Sequence, residues 1–374
     1  MEGMMFADNW KISLRQVRRL LILDIFGLSS LMMPGALSSL TGADGIFCLL
    51  FGMAGGCVLL LCMGANLKRA KEDYYHYMTG TVGQFLGDFF MVFYFLYFII
   101  LCGFVLYQIT TLVLSWMLPE GPFWGVGILL LLLAAYGTIR GIEGRARIYE
   151  ILFWFLGIPL LVMLFLAIQK VDSDRWAPIV YSSGEGILQG SLSFSVFLLP
   201  LTGILFLKPF CQNGQKLASC ARTALVSVTL LDGVIYLILL GVFGSNTMGV
   251  LKRPAITLMS MVNLPGGFFT RQDVVMISVW FFALFALLHT GVFQSSLILK
   301  ELFHEPKGGW SLLVTVILAF AISAAFFRNQ ILEEAYEIYQ KWIALPGMLL
   351  ISLFLLLVYW FRFGNKWIKK GEGR

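Results

Sequence analysis

Ten runs of mostly apolar residues alternate along the chain with short stretches rich in Gly, Pro or charge. Each run is near the ~20 residues that a helix needs to cross about 30 Å of hydrocarbon. They predict membrane-spanning helices at 18–40, 44–66, 85–118, 122–139, 147–169, 186–208, 221–244, 272–299, 309–327 and 344–363. The break from Pro119 to Pro122 is short, as a tight connection between antiparallel helices requires. The fold class that follows is an all-α polytopic membrane protein with ten transmembrane helices. It is a single membrane domain over 1–374 with two five-helix halves, about 18–169 and about 186–363. Two segments outside the spans are amphipathic. Pro254 to Met261, followed by Pro265-Gly266-Gly267, predicts a short helix and turn lying over the bundle. Glu333, Glu334 and Glu337 share a stretch with Tyr336, Tyr339 and Trp342, the pattern of an interfacial helix with an acidic face. Both are expected to act as structural lids.

The first and sixth spans carry helix-breaking residues at their centres. In Phe26-Gly27-Leu28-Ser29-Ser30-Leu31-Met32-Met33-Pro34-Gly35, glycine and paired serines weaken the helix, and Pro34 cannot donate to the preceding turn. The expectation is a discontinuity whose second half-helix opens with free N–H groups, an arrangement that attracts a carboxylate. A simple proline kink is the plainer alternative. The sixth span repeats the feature in Phe197-Leu198-Leu199-Pro200-Leu201-Thr202-Gly203. Spans one and six hold corresponding places in the two halves, and paired interruptions of this kind point to a transporter site between inverted repeats. Gly27, Ser29, Ser30, Leu31, Pro200, Leu201, Thr202 and Gly203 are therefore the candidate ligand-binding residues. Tyr97, near the middle of span three, joins them as a ring and hydroxyl able to cover a ligand, although packing is the commoner role of such a residue.

Composition narrows the class further. The chain is 59% hydrophobic and 13% charged, against about 25% charged in soluble proteins, so lipid must solvate part of its apolar surface. The net charge of +6 comes from basic residues spread thinly between apolar runs, with no basic face for nucleic acid. Those residues do report orientation. Lys170, Arg175, Lys252, Arg253, Arg271, Arg328 and Lys341 fall on one side, and the other twenty of the 27 fall on the opposite side. Both termini are therefore expected to be cytoplasmic. Cys48, Cys57, Cys62, Cys102, Cys211 and Cys220 have neither a disulfide framework nor metal-ligand spacing, so no metal or cofactor is expected. The first apolar run continues to spanning length, so no signal peptide is expected to be removed.

Polar groups within the spans carry the remaining chemistry. Asp232 lies mid-span in span seven, where an unpaired carboxylate is expensive; it is a coupling candidate, or a packing residue satisfied by Ser227 or Thr229. Asp24 sits about 7 Å beyond Arg19 by helical rise, which suits an inner gate or a snorkelling pair. Glu150 follows Arg147 by three residues, so a pair at the cytoplasmic mouth of span five is expected. His289 and Thr290 occupy the centre of span eight, with Ser295 and Ser296 farther inward, but no carboxylate joins them in sequence and no sodium site is expected. The cytoplasmic loops hold no nucleotide-binding loop, activated nucleophile or metal cluster, and enzyme activity is not expected.

Gly27-x-x-x-Leu31-x-x-Pro34 followed by Thr41-Gly42-Ala43-Asp44-Gly45 resembles the first helix and turn of the spore germination permeases, the B subunits of germinant receptors in the amino acid/polyamine/organocation superfamily. Arg147-x-x-Glu150-Ile151-Leu152, Trp176-x-Pro178, and Arg271-x-Asp273 with Trp280 follow in the same order, so the resemblance covers nearly the whole chain. It implies a leucine-transporter-like five-plus-five fold in the inner membrane of a spore. It also implies an amino acid or similar nutrient as ligand, and a complex with a larger A subunit and a C-subunit lipoprotein. Two positions depart from the family pattern: Ser29 stands where relatives tend to have a second glycine, and many relatives have an acid close to the place of Gly203. The second departure removes a partner for a ligand ammonium. The function expected is nutrient binding transmitted to partner subunits as a germination signal. The rival is an autonomous proton-coupled amino acid permease using Asp24 or Asp232 as relay, and a vestigial scaffold is a third class.

Overall fold

The computed structural model describes residues 11–70, 73–261, 272–305 and 309–371. Its elements are helical: α1 (Leu14–Thr41), α2 (Gly45–Arg69), α3 (Tyr74–Val82), α4 (Gln84–Trp116), α5 (Phe123–Ile139), α6 (Gly141–Ile168), α7 (Gly184–Phe197), α8 (Ile204–Leu207), α9 (Leu217–Val250), α10 (Pro254–Met261), α11 (Gln272–Leu302), α12 (Gly309–Arg328), α13 (Ile331–Tyr339) and α14 (Leu345–Gly371). Among the described residues, seven helical segments are long and apolar enough to cross a membrane. One is the 56-residue stretch Leu14–Arg69, which contains both α1 and α2. The pair Gly184–Phe197 and Leu199–Phe210, bent by 41°, makes an eighth if it is one span. Large apolar side chains such as Phe51, Leu129, Ile151 and Phe155 stand on the outer surface, where lipid would solvate them. This is a multi-pass membrane protein.

Local chemistry sets the element ends. Ser13 and Gln16 form a reciprocal capping box at the start of α1, with Ser13 N–H donating to Gln16 Oε1 at 3.0 Å and Gln16 N–H to Ser13 Oγ at 3.3 Å. α1 stops at Gly42, whose φ of +52° suits a residue without Cβ. Asp73 caps α3, an element absent from the sequence expectation, and Ser183 caps α7. The α9 helix turns at Gly244, φ +73°, where the predicted span ends.

The loops collect at two ends. At one end, Ile12 pairs with the strand-like backbone around Cys211, the Lys208 ammonium donates to Leu67 O at 2.7 Å, His304 stacks edge-on to Tyr75, and Arg362 donates to Thr81 O. At the other, Asp44 accepts the backbone N–H groups of Val180, Tyr181 and Ser182 at 2.5, 2.8 and 2.7 Å. There Ser38 also donates to Ser245 O at 2.8 Å.

α1 is central, packed against α6, α7, α9, α10 and α11. The interruption expected between Gly27 and Gly35 is not there: α1 is one α-helix from Leu14 to Thr41, with Pro34 inside it. Close packing explains why it holds. A Cβ at Gly27 would lie 2.8 Å from the backbone carbonyl carbon of Ala283, so α11 buttresses the weak segment. Ser30 Oγ donates to Phe26 O at 2.5 Å and accepts from Trp280 Nε1 at 3.1 Å, so it reinforces the turn rather than opening it. The sixth span does break, passing from α7 through a 3-10 stretch at Leu199–Gly203 into α8.

The two amphipathic segments form as helices. α10 covers Pro254–Met261 as expected, and the following Pro265-Gly266-Gly267 lies outside the described residues. α13 is continuous with α14 through a π-helical turn at Gln340–Ala344. Arg271 and the side chain of Asp273 also lie outside the described residues.

Candidate functional site

A cavity of about 220 Å³ lies between α1, α4, the broken sixth span and the α13 lid. α1 contributes Leu28, Met32, Ala36, Ser39 and Leu40, positions spaced by three or four residues and thus on one helix face. α4 adds Tyr97, Leu101 and Phe104, while the sixth span adds Ser193, Val196, Phe197 and Pro200. The lid closes it with Tyr336, Glu337, Gln340 and Lys341. Tyr336 stacks on Phe104 at 4.0 Å between ring centroids, and Glu333 accepts from Tyr107 at 2.6 Å, so the lid is held to α4 by rings and a hydrogen bond. Two buried polar atoms of the wall, Tyr97 Oη and Gln340 Oε1, have no hydrogen-bond partner among the described residues. Groups buried in that way are costly unless a ligand or water satisfies them. In the same lining, Lys341 and Glu337 face each other at 3.8 Å, a cation and an anion one turn apart.

Of the predicted binding residues, Tyr97 and Pro200 line this cavity; the others face elsewhere. Gly27 and Ser30 pack on α11, and Leu31 is fully buried. Leu201, Thr202 and Gly203 form the 3-10 break and lie buried behind it. Gly203 O accepts from Gln294 Nε2 at 3.1 Å, and a Cβ at Gly203 would approach that amide to 3.0 Å. Gln294 thus occupies the space next to Gly203 where an acid was noted as missing. Thr202 Oγ1, Gln294 Oε1 and Ser295 Oγ around the break are buried without partners among the described residues. The α1 candidates were Gly27, Ser29, Ser30 and Leu31, whereas the cavity takes the face of Leu28, Met32, Ala36 and Ser39, whose three-to-four-residue period is visible in the sequence.

A second polar centre joins three helices on the N-terminal side of Gly27 in α1. Asp24 Oδ1 accepts from Thr290 Oγ1 at 2.6 Å and lies 3.6 Å from the Arg145 guanidinium, which also donates to Thr290. Both charged side chains are buried, and Arg145 lies over the rings of Tyr149 and Phe293. Tyr149 Oη and His289 Nδ1 share a hydrogen bond of 3.0 Å beside them. Of the two roles open to Asp24, a gate or a snorkelling pair, the surface pair does not form: Asp24 is buried against Arg145, because α6 begins at Gly141 and carries Arg145 into the bundle. Arg19 bonds Glu150 instead, joined by Arg15 at 3.2 Å and by Gln16 Nε2 at 3.2 Å. The expected Arg147–Glu150 pair is therefore replaced, and Arg147 pairs with Glu143. Glu150 clamps the start of α1 to α6 rather than staying within one helix.

Asp232 is the third centre. It is fully buried and faces Ser29 of α1. Among the described residues Ser29 is the polar group set against it, and no hydrogen bond of ordinary geometry joins the two. The plain packing partners fail: Ser227 donates to Thr223 O, and Thr229 Oγ1 is itself unsatisfied.

This arrangement of a broken helix, a small cavity and buried charges belongs to a transporter fold. Among solved structures, a Na+-coupled sialic acid symporter in a substrate-bound outward-open state matches with a TM-score of 0.63, over 93% of this chain and 84% of that one, at 12% identity. Such a likeness shows the fold alone. Among curated proteins the chain is similar to three from Bacillus subtilis (strain 168). It is 22% identical to Spore germination protein YndE over 98% of this chain and 100% of that one. It is 24% identical to Spore germination protein B2 over 99% of each, and 25% identical to Spore germination protein KB over 98% of this chain and 99% of that one. A family profile described as spore germination protein matches residues 11–335, from the chain before α1 into the α13 lid. With that extent of match across the helices that build the cavity, the chain belongs to the spore germination permease family.

Proposed function

We propose that this protein is the nutrient-binding membrane subunit of a spore germinant receptor, and that it recognises an amino acid or similar small molecule in the cavity beneath α13. The observation that carries the reading is the cavity itself: about 220 Å³, bounded by the interrupted sixth span, with Tyr97 Oη and Gln340 Oε1 unsatisfied in its wall. Its volume is below the ~300–1,000 Å³ of drug-sized sites, which favours a small ligand. The ligand's ammonium and carboxylate would exchange with Glu337 and Lys341 at the mouth, replacing the helix N-terminus that a continuous α1 does not offer. Glu337 would then do the work of the acid missing near Gly203.

In this reading the chain crosses the membrane ten times, as two five-helix repeats, with both termini on the cytoplasmic side of the spore inner membrane. The segregation of loop contacts into two ends supports it, as does the length of Leu14–Arg69, which at about 1.5 Å per residue is enough for two crossings. Binding would bias one access state and pass that bias to an A subunit and a C-subunit lipoprotein, by no more than the ligand's affinity difference between states. Asp24, Thr290 and Glu150 would hold the inner end shut, and Asp232 would be the group available for coupling.

The test is deletion of the gene in the source organism, complemented by wild type, Ala36→Phe or Tyr97→Phe, scoring dipicolinate release from spores against an amino-acid panel. Uptake by growing cells serves as control. Loss of release to one nutrient in the deletion and in Ala36→Phe, with normal uptake, is the expected outcome. Tyr97→Phe should raise the nutrient concentration needed about fivefold to tenfold, the effect of one lost hydrogen bond. Normal release with impaired uptake would leave the permease reading in its place.

A further inference from the structure

A second cleft, of about 610 Å³, lies away from the cavity beneath α13, between α5, α6 and α11. It shares no wall with the cavity beneath α13. Its walls are mainly apolar, with Leu133, Leu152, Phe281 and Phe285 on three different helices. Basic groups gather at one end, where Arg140 and Arg147 stand exposed and Glu143 pairs with Arg147. The Arg140 guanidinium has Tyr136 Oη as its hydrogen-bond partner, at 3.0 and 2.8 Å, and lies over the same ring. Among the described residues no carboxylate pairs with it. His289 lines the cleft as well, packed against Gly137 one turn before Arg140.

We propose that this cleft holds one anionic phospholipid, with its phosphate at Arg140 and an acyl chain along the apolar wall. The dimensions match. From Glu143 to Leu152 the α6 wall rises about 14 Å at helical pitch, close to half of the ~30 Å hydrocarbon thickness, which is the depth of one leaflet. The chemistry matches as well: guanidinium is a planar fork suited to phosphate, and basic pockets between membrane helices on the cytoplasmic side take anionic headgroups. A soluble ion would find the Arg140 end but would leave the apolar wall uncovered, whereas an uncharged lipid would leave the arginine unmatched. Ile148 and Ile151 beside the cleft are exposed, so the site opens sideways towards lipid. Arg145 forms part of the wall, so a bound lipid would brace the Asp24 and Thr290 bridge from outside.

The leaflet assigned to the lipid rests on the orientation proposed above, but binding in detergent does not. Full-length protein would be delipidated and titrated with dioleoylphosphatidylglycerol or dioleoylphosphatidylcholine, reading retained lipid by native mass spectrometry and unfolding temperature in parallel. Wild type should retain one phosphatidylglycerol and be stabilised more by it than by phosphatidylcholine. Arg140→Gln should weaken that retention about fivefold, the loss expected for one basic side chain at an anionic surface. Gly144→Phe fills the cleft, since the position of its Cβ is clear of everything nearer than Arg140 Cβ at 3.8 Å, and should abolish retention. Both variants should unfold like wild type without lipid, which separates lost binding from lost fold. Equal retention of the two lipids by wild type, or full phosphatidylglycerol retention by Arg140→Gln, would overturn the assignment.

Discussion

Asp24 and Arg145 are each expensive to bury and are tolerable because they face each other across Thr290. Asp24→Asn leaves the guanidinium buried without its counter-charge and should destabilise the protein by about 3–5 kcal/mol. The double variant Asp24→Leu with Arg145→Met should recover most of that loss, and thermal unfolding of the purified variants measures both. Equal stability of Asp24→Asn and wild type would mean that the pair contributes nothing. At this scale the sequence was half legible. An aspartate inside an apolar run announces itself, and Asp24 and Asp232 were both visible for that reason. Arg145 was not, because it stands among basic residues that all serve the orientation rule, and only the early start of α6 folds one of them inward. Gln294 was missed because an uncharged amide in a span raises no alarm, although its spacing of four from Thr290 puts it on the same face.

Proline alone does not decide whether a helix breaks. Pro34 removes one backbone donor from α1, yet α9, α11 and α7 pack around the segment and Ser30 strengthens it, so the helix continues. Pro200 falls in a run whose break is supported by Gln294 from outside, and there the helix bends. Sequence showed both prolines but not their neighbours. Gly27 is the point where α1 depends on having no side chain: Gly27→Ala should force α1 and α11 apart and lose about 1–3 kcal/mol, the usual range for overpacking, read as a lower unfolding temperature. Glu150 acts between elements too. Glu150→Gln should loosen the start of α1 from α6 and expose Cys220, whose thiol lies against Leu14 O at 3.2 Å. Site-resolved maleimide labelling in membranes would then show faster modification at Cys220. An unchanged rate would remove Glu150 from the inner closure.

For the molecule as a whole, apolar run length carried most of the information: helices occupy the predicted runs, the sixth being divided between α7 and α8, and among the described residues seven segments, or eight with that bent pair, are long and apolar enough to cross a membrane. What it could not supply was which faces meet, because in lipid an outward apolar face and an inward one use the same residues. The proposed orientation is open to a direct check in a variant lacking the six native cysteines. Tyr181→Cys should react with an impermeant maleimide from outside, and Gln215→Cys only after permeabilisation; the reverse pattern would invert the topology. The π turn at Gln340–Ala344 gives the lid a property that a loop would not. A π turn is an α-helix holding one surplus residue, and passing that residue along would turn α13 by about 100° and slide it by about 1.5 Å relative to α14. Such a shift would act as a one-tooth ratchet in the roof of the cavity, exchanging the side chains presented below, Tyr336 and Gln340 among them, without a hinge.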